Sequence, residues 1–374
     1  MASKRQASAG SAIAARLKRL RRQLREDRAT AVLLTNPVNV GYFSGFTGED
    51  SYLLVAARSN VLITDGRFTE QAAGECPCAA VFTRKKAQKM GEAVAAVAKR
   101  RRLEHIGYVP ASITVAVQKA LAKSLRAAKV RFTAVKTDPG LPRQVKDAGE
   151  VAVIRRAIRC AEAAWTETVS WMAAGMTERQ VAAKLDYEMM RRGASGPAFE
   201  TIVAAGPRSS LPHARPTGRR IRRRDMVLFD WGAIVDGYRS DLTRVVFVGT
   251  IPPRFSAVYA LVLAGQRAGI AALGAGKTGR EVDAAAREVI VDGGYGEQFV
   301  HGLGHGLGRS VHERPVLATT AAAPLAAGMV VTVEPGVYLP GAGGVRIEDD
   351  CLVTDSGCRV LSALPKDLDR MRLA

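Results

Sequence analysis

Three of the chain's five histidines fall within HGLGHGLGRSVHERP, residues 301–315, on a backbone with glycine at alternate positions. His301 and His305 are four apart, which on a helix would set both rings on one face as a metal pair. A helix is nevertheless disfavoured here, because Gly302, Gly304, Gly306 and Gly308 would each cost about 1 kcal/mol in a helix interior. The segment reads instead as a loop or an irregular strand. Glycine at alternate positions suits backbone that passes close to a ligand, a metal or another chain segment.

Carboxylates supply the other half of a possible site. In MVLFDWGAIVDGYRSDLTRVVFVG two strands flank Asp236-Gly237, a strong hairpin-turn signal. With those two residues at the centre of the turn, Asp230 lies opposite Thr243, and Asp241 is two residues from Thr243 on the same face. Asp230 and Asp241 are then diagonal cross-strand neighbours within reach of a shared ion. Two carboxylates so placed would repel, and a cation resolves the conflict. In EPGVYLPGAGGVRIEDDCLV, alternation puts Val345 and Ile347 on one face and Arg346 and Glu348 on the other, as a site or as a surface pair. Glu334 ends the preceding strand. Four carboxylates, hard oxygen donors, with one imidazole from the glycine loop suit Mn or Co, with Fe or Zn as further options, better than a thiolate-rich site would. Five ligands, some of them bridging, suit two metals about 3.5 to 4 Å apart around a shared hydroxide.

The elements that must hold these residues form two groups. After a basic amphipathic helix with Leu17, Leu20 and Leu24 at helical spacing, residues 31 to 70 read as strands: AVLLT, then NPVNVGYFSGFTGED, SYLLVAA and NVLITDGR. A helix near 87–102, a strand at IGYVP, a helix near 113–127 and a strand at VRFTAV complete an α/β unit. KTDPGLPRQVKDAGE separates it from a long helix, EVAVIRRAIRCAEAAWTETVSWMAAG.

The second part repeats itself. AGMTERQVAAKLDYEMMRRG from 174 answers AGKTGREVDAAAREVIVDGG from 275, each opening with a capping box, Thr177 with Gln180 and Thr278 with Glu281. HARP at 213–216 is echoed by HERP at 312–315, and DMVLFDWG by GMVVTVEPG, so that Asp230 answers Glu334. Two halves facing each other across a pseudo-twofold axis are expected. GAGKTG at 274–279 is no phosphate loop, since Ala271 stands where the first glycine belongs and helix precedes it instead of strand.

Composition narrows the class. At 374 residues and 47% hydrophobic, the chain exceeds the roughly 250 to 300 residues at which single cores stop growing, so two domains are expected. Five cysteines show no zinc or disulfide spacing, which favours a reducing compartment. No stretch of 18 uninterrupted apolar residues occurs, and the N-terminus has no apolar core of signal-peptide length, so a soluble cytoplasmic protein is expected. The net charge of +20, with RLKRLRRQLR near the start and RRIRRR at 219–224, raises nucleic-acid binding. Neither run is interleaved with aromatics, and an Ala- and Arg-rich composition throughout points to a global bias, so no specific nucleic-acid or membrane partner is expected.

LPHARPT, DWGAIVDGYRSDLTR, HGLGHGLGRSVHE, EPGVY and GGVRIED together resemble the pita-bread metallopeptidases, which include methionine aminopeptidase, aminopeptidase P and Xaa-Pro dipeptidase (prolidase). TNPVNVGYFSGFTGEDSYLLV and LITDGRFTEQA resemble the creatinase-type N-terminal domain, which methionine aminopeptidases lack. The resemblance implies an α+β pita-bread catalytic domain of duplicated halves over 138–374, preceded by a smaller α/β creatinase-like domain over 12–137. It implies Asp230, Asp241, His305, Glu334 and Glu348 as ligands of two divalent ions, Mn foremost. His213, His301, His312 and Arg346 would bind substrate or stabilise the intermediate, with Glu334 as general base. His105 is left as structural.

The reaction so implied is hydrolysis of the Xaa-Pro bond of a proline-containing peptide by a metal-bridging hydroxide, in a homodimer. The alternatives are a creatinase-like metal-free C–N hydrolase and a non-catalytic binding protein whose basic surface contacts nucleic acid. Either would be expected to have lost ligands, and this chain keeps all five. Two positions depart from the family pattern. Trp231 is read as packing. Arg208-Ser209-Ser210 brings charge where less is expected, and would alter substrate access and the length of peptide accepted.

Overall fold

The protein is described by a computed structural model covering residues 2–136 and 138–373, with side chains from residue 10 onward. Two compact units divide it, Met1–Pro142 and Arg143–Ala374.

In the first unit a six-stranded sheet runs in the order β4-β3-β2-β1-β5-β6, built from β1 (Ala31–Leu34), β2 (Tyr52–Ala56), β3 (Asn60–Thr64), β4 (Ala80–Thr83), β5 (His105–Tyr108) and β6 (Arg131–Ala134). β1, β2 and β3 pair antiparallel, and the outer pairs are parallel. Strand alternation sends Val32, Leu34, Leu53 and Val55 to one face, where Leu17, Leu20 and Leu24 of helix α1 (Ala2–Glu26) cover them. Leu33, Leu54 and Ile63 go to the other face, under the helices Met90–Arg100 and Val115–Ala127. Each buried leucine contributes roughly 1.5 to 3 kcal/mol, which explains why the helix carrying RLKRLRRQLR keeps its apolar stripe inward and Lys18, Arg22 and Arg25 outward.

One stretch differs from its sequence reading. NPVNVGYFS was expected as strand and forms helix α2 (Pro37–Ser44). Asn36 accepts hydrogen bonds from the N–H groups of Val38 and Asn39 at 2.9 and 3.3 Å, Pro37 opens the helix, and Gly45 at φ 87° closes it. The capping signals outweigh the β-branched composition. The charge also differs from a uniform bias: Met1–Pro142 holds 25 Lys and Arg against 10 Asp and Glu, whereas Arg143–Ala374 holds 30 against 25. All five cysteines are free.

The second unit shows the duplication in three dimensions. α3 (Glu178–Arg191) and α4 (Gly279–Asp292) are each capped by a threonine, Thr177 and Thr278, in a reciprocal capping box with Gln180 and Glu281. Each follows a left-handed glycine, Gly175 at φ 96° and Gly276 at φ 84°, and each cap threonine makes an isolated antiparallel bridge, to Arg220 and to Pro324. One sheet sets β7 (Ile202–Ala205), β8 (Met226–Trp231) and β9 (Leu242–Val248) side by side with β8 in the middle. The other runs β11-β10-β12-β13 and continues to the strand Gly357–Val360, with β10 (Gly304–Gly306), β11 (Glu313–Leu317), β12 (Val330–Val333) and β13 (Asp349–Thr354). Thr243 of β9 bridges to Glu348, tying the two sheets together where the carboxylates gather.

The hairpin register is the one the Asp236-Gly237 turn dictates: Thr243 lies opposite Asp230, and Val235 opposite Tyr238. Trp231 is packing, fully buried and stacked on Trp165 at 5.6 Å, with its indole N–H donating to the Ala161 carbonyl at 3.0 Å. The helix Pro253–Ala272 is long and apolar enough to cross a membrane by composition, but Val258, Tyr259, Val262 and Leu263 are buried in the core of this unit.

Candidate metal centre and substrate cleft

Why the glycine loop needs glycine is visible at two positions. A Cβ on Gly304 would lie 2.1 Å from the Thr332 carbonyl oxygen, and one on Gly306 would lie 2.4 Å from that of Arg314. β10 is squeezed between β11 and β12, and the squeeze carries His305 toward the ends of the strands that bear the carboxylates. Close approach of chain, not a left-handed backbone, is the reason.

Five elements deliver five side chains. Asp230 comes from the end of β8, Asp241 from just before β9, His305 from β10, Glu334 from just after β12 and Glu348 from just before β13. The His305 Nε2 lies 3.2 Å from Glu334 Oε1 and 3.6 Å from Asp241 Oδ2. Asp241, His305 and Glu348 each offer a ligand atom within 4.8 Å of the others. His305 Nδ1 is 3.2 Å from the Gly306 carbonyl oxygen, to which it donates in the tautomer that leaves Nε2 free as a ligand.

Further contacts orient the carboxylates. Thr332 Oγ1 accepts from the His305 N–H and donates to Glu334 Oε1, both at 3.0 Å. Thr243 Oγ1 donates to Glu348 Oε2 at 2.6 Å, and Asp350 accepts the Asp241 N–H at 3.1 Å. Arg346 donates to Asp230 Oδ2, to Thr243 Oγ1 and to the Tyr338 hydroxyl. Tyr338 in turn meets His301 Nε2 at 2.9 Å, and His301 Nδ1 meets the Gly302 carbonyl at 2.8 Å, so both ring nitrogens of His301 are engaged.

The electrostatics fit a cation. Burial pushes the Asp241 carboxyl well above the usual range, and the neighbouring Glu348, Asp230 and Glu334 charges push it further. Burial and the charges of Glu334 and Asp230 do the same to Glu348. Burial opposes ionisation of Glu334 too, but its hydrogen bond and ion pair with His305 hold it down at about 2. Asp230 Oδ1 and Glu348 Oε1 are buried without a hydrogen-bond partner among the described residues. Orphaned carboxylate oxygens around an imidazole nitrogen that itself faces two carboxylates are what divalent-ion ligands look like without their ion.

Protons therefore compete with metal. Asp241 and Glu348 hold protons at pH values where an ordinary carboxylate has none, so loading must release them and must tighten as pH rises above the usual carboxylate range. Calorimetric titration of the metal-free protein with Mn in two buffers of different ionisation enthalpy should give net proton release. A binding enthalpy independent of buffer would contradict it.

The centre opens into a cleft of about 710 Å³. His213, His301 and His312 line it together with Arg346 and Tyr338, so every site residue expected from the sequence meets in one cavity. The His312 ring sits 4.2 Å from that of His305, edge to face, and burial and the His305 charge lower its pKa, which favours the neutral ring. Thr243, Thr332, Tyr338 and Asp350 were not singled out from the sequence. Arg208 differs from its expected place: it does not line the cleft, because the fully buried carboxylate of Glu178 takes its guanidinium at 3.1 Å. His105 is structural, bonded through Nε2 to Thr133 at 2.7 Å.

With that geometry in view, residues 152–355 match metallopeptidase family M24, and residues 16–138 match the creatinase/prolidase N-terminal domain. The chain is similar to an uncharacterized peptidase of Bacillus subtilis (strain 168), YqhT, with 35% identity over 353 residues, 94% of this chain and 99% of that one. Among solved structures it is similar to a Xaa-Pro dipeptidase from Bacillus anthracis, at TM-score 0.92 and 35% identity over 96% of this chain and 100% of that one. A X-Pro aminopeptidase from Thermotoga maritima MSB8 follows at TM-score 0.86 and 36% identity, over 92% and 99%.

Proposed function

Because the chain belongs to metallopeptidase family M24 and carries a creatinase/prolidase N-terminal domain ahead of its pita-bread catalytic domain, we propose that it hydrolyses the Xaa-Pro bond of peptides at the five-ligand centre. The observation that carries this reading is the cluster of Asp230, Asp241, His305, Glu334 and Glu348, complete, with Asp241 and Glu348 buried and the other three partly buried, and with unpartnered oxygens on Asp230 and Glu348 among the described residues. A metal-free hydrolase or a binding protein on this fold has no use for such a cluster, whose uncompensated charge costs stability. The ligand set is proposed to hold two divalent ions, Mn foremost with Co, Fe or Zn able to substitute, which when bound supply Lewis acidity and a water ionisable near neutral pH.

The chain's own residues do the rest. Glu334, ionised and held by Thr332, is placed to take the proton that water loses on attacking the carbonyl carbon, and to deliver it to the proline nitrogen as the C–N bond breaks. That nitrogen belongs to a tertiary amide with no N–H, so binding cannot rely on a hydrogen bond from it. His312 and His213 line the cleft without belonging to the ligand cluster, and serve the oxygen on which charge develops. The chain of Arg346, Tyr338 and His301 keeps Asp230 oriented and fixes the cleft wall. The boundaries 12–137 and 138–374, a homodimer and a cytoplasmic location belong to the same proposal.

An assay of Ala-Pro, Ala-Pro-Ala and Ala-Ala with Mn or Co added tests it. Hydrolysis confined to the proline-containing substrates and lost with chelator is expected. Equal cleavage of Ala-Ala, or activity indifferent to metal, would overturn it.

A further inference from the structure

Among the described residues that line the cleft, one cationic side chain is not used by the ligand cluster and its supporting hydrogen bonds. Arg346 is committed to Asp230, Thr243 and Tyr338, both ring nitrogens of His301 are engaged, and His305 faces Glu334 and Asp241. Arg215 also lines the cleft, 81% exposed, and its ion pair is with Glu200, 62% exposed, at 3.1 Å. An exposed pair of this kind contributes little and changes partner readily.

The loop beneath Arg215 is, by contrast, firmly held. Glu178, the first residue of α3 and fully buried, accepts from the N–H groups of Ala205 and Thr217, from the Thr217 hydroxyl and from Arg208. Arg208 then donates to the Arg215 carbonyl at 2.6 Å. An exposed guanidinium on a fixed backbone is therefore presented at the cleft two residues after His213. Two residues span at most roughly 7 Å, and one residue of substrate about 3.5 Å, so a group next to the scissile carbonyl and a group next to the carboxylate of the following residue can sit on one such loop.

We propose that Arg215 pairs with the free carboxylate of a Xaa-Pro dipeptide, and that Glu200 holds the guanidinium in place until that carboxylate replaces it. The planar fork of an arginine matches a carboxylate with two parallel hydrogen bonds, and the other arginine among the described residues of the lining, Arg346, is held by buried partners, whereas Arg215 has only the exposed Glu200 to exchange. Val300 and Val316, exposed apolar residues in the same lining, offer apolar surface that a pyrrolidine ring would cover. In a longer peptide the carboxylate moves about 3.5 Å further for each residue and an uncharged amide takes its place opposite Arg215. Arg215 is thus a specificity-determining residue that favours dipeptides. The charge expected from the sequence at Arg208 to set substrate length acts one step away, by steadying Arg215.

This inference rests on the Xaa-Pro reading, and the test separates the two. Steady-state kinetics are measured on Ala-Pro and on its C-terminal amide, Ala-Pro-NH2, for the metal-loaded protein and for Arg215→Ala, Arg215→Lys and Glu200→Gln. Arg215→Ala should raise KM for Ala-Pro about tenfold with kcat within about twofold, and leave the amide unchanged. Arg215→Lys should recover part of the loss, and Glu200→Gln should lower KM for Ala-Pro alone. If Arg215→Ala changes acid and amide equally, or neither, the assignment is overturned while the Xaa-Pro reading stands. If the unsubstituted protein cleaves neither substrate, the Xaa-Pro reading itself fails.

Discussion

Asp241→Ala and Glu348→Ala should each lose metal and activity together, by at least about 10³-fold in kcat/KM, while the N-terminal unit stays folded. Asp241 and Glu348 each offer a ligand atom within 4.8 Å of the other and of His305, so removing either opens the proposed ligand set. The effect on stability should run the other way. Without metal, burial and neighbouring charge make these carboxyls unwelcome in the fold, and their raised pKa values mean that they give up stability as pH rises above the usual carboxylate range. The metal-free variants should therefore melt no lower than the metal-free parent at pH 7, and only the parent should gain from added Mn. Elemental analysis beside thermal melts reads both effects. Full metal occupancy in either variant would remove that residue from the ligand set.

The histidines of the glycine loop separate by role. His305, whose Nε2 faces Glu334 and Asp241, is proposed as a ligand, so His305→Ala should weaken metal binding itself, and excess Mn or Co should restore part of the remaining activity. His312 lines the cleft one ring away, and burial and the His305 charge lower its pKa. His312→Ala should keep its metal yet lose about 10²- to 10³-fold in kcat, the scale for removing one donor to a developing oxyanion. Metal titration by calorimetry beside steady-state kinetics distinguishes the two. If His312→Ala empties the site while His305→Ala leaves it full, the roles are reversed.

Much of this site was legible because local rules determine it. The Asp236-Gly237 turn allows one register, and that register alone brings Asp230 and Asp241 to the same end of a hairpin. The glycines around His305 announce close packing before any partner is known, and the partners prove to be the carbonyls of Thr332 and Arg314. The repeated capping boxes at Thr177 and Thr278 show the duplication in the same way. At Asn36-Pro37 the capping signal was equally local, but the valines and aromatics behind it suggested strand, and the cap decided the outcome.

What escaped the sequence depends on distant chain. Thr243 and Glu348 are 105 residues apart, Tyr338 reaches His301 across 37, and Arg208 finds Glu178 across 30. A threonine or tyrosine has no spacing rule that marks it as the support of a carboxylate or an imidazole. The charge of Arg208 could be read, whereas the buried acid that draws it away from the cleft could not.

Two ions held by these five ligands are proposed to be what makes the chain a peptidase. Stripped protein titrated with Mn, with the rate of Ala-Pro hydrolysis followed at each addition, tests it most directly. The rate should begin near zero and level off at two equivalents of metal per chain. A plateau at one equivalent would contradict the dinuclear reading, and full activity in the stripped protein would contradict the claim as a whole.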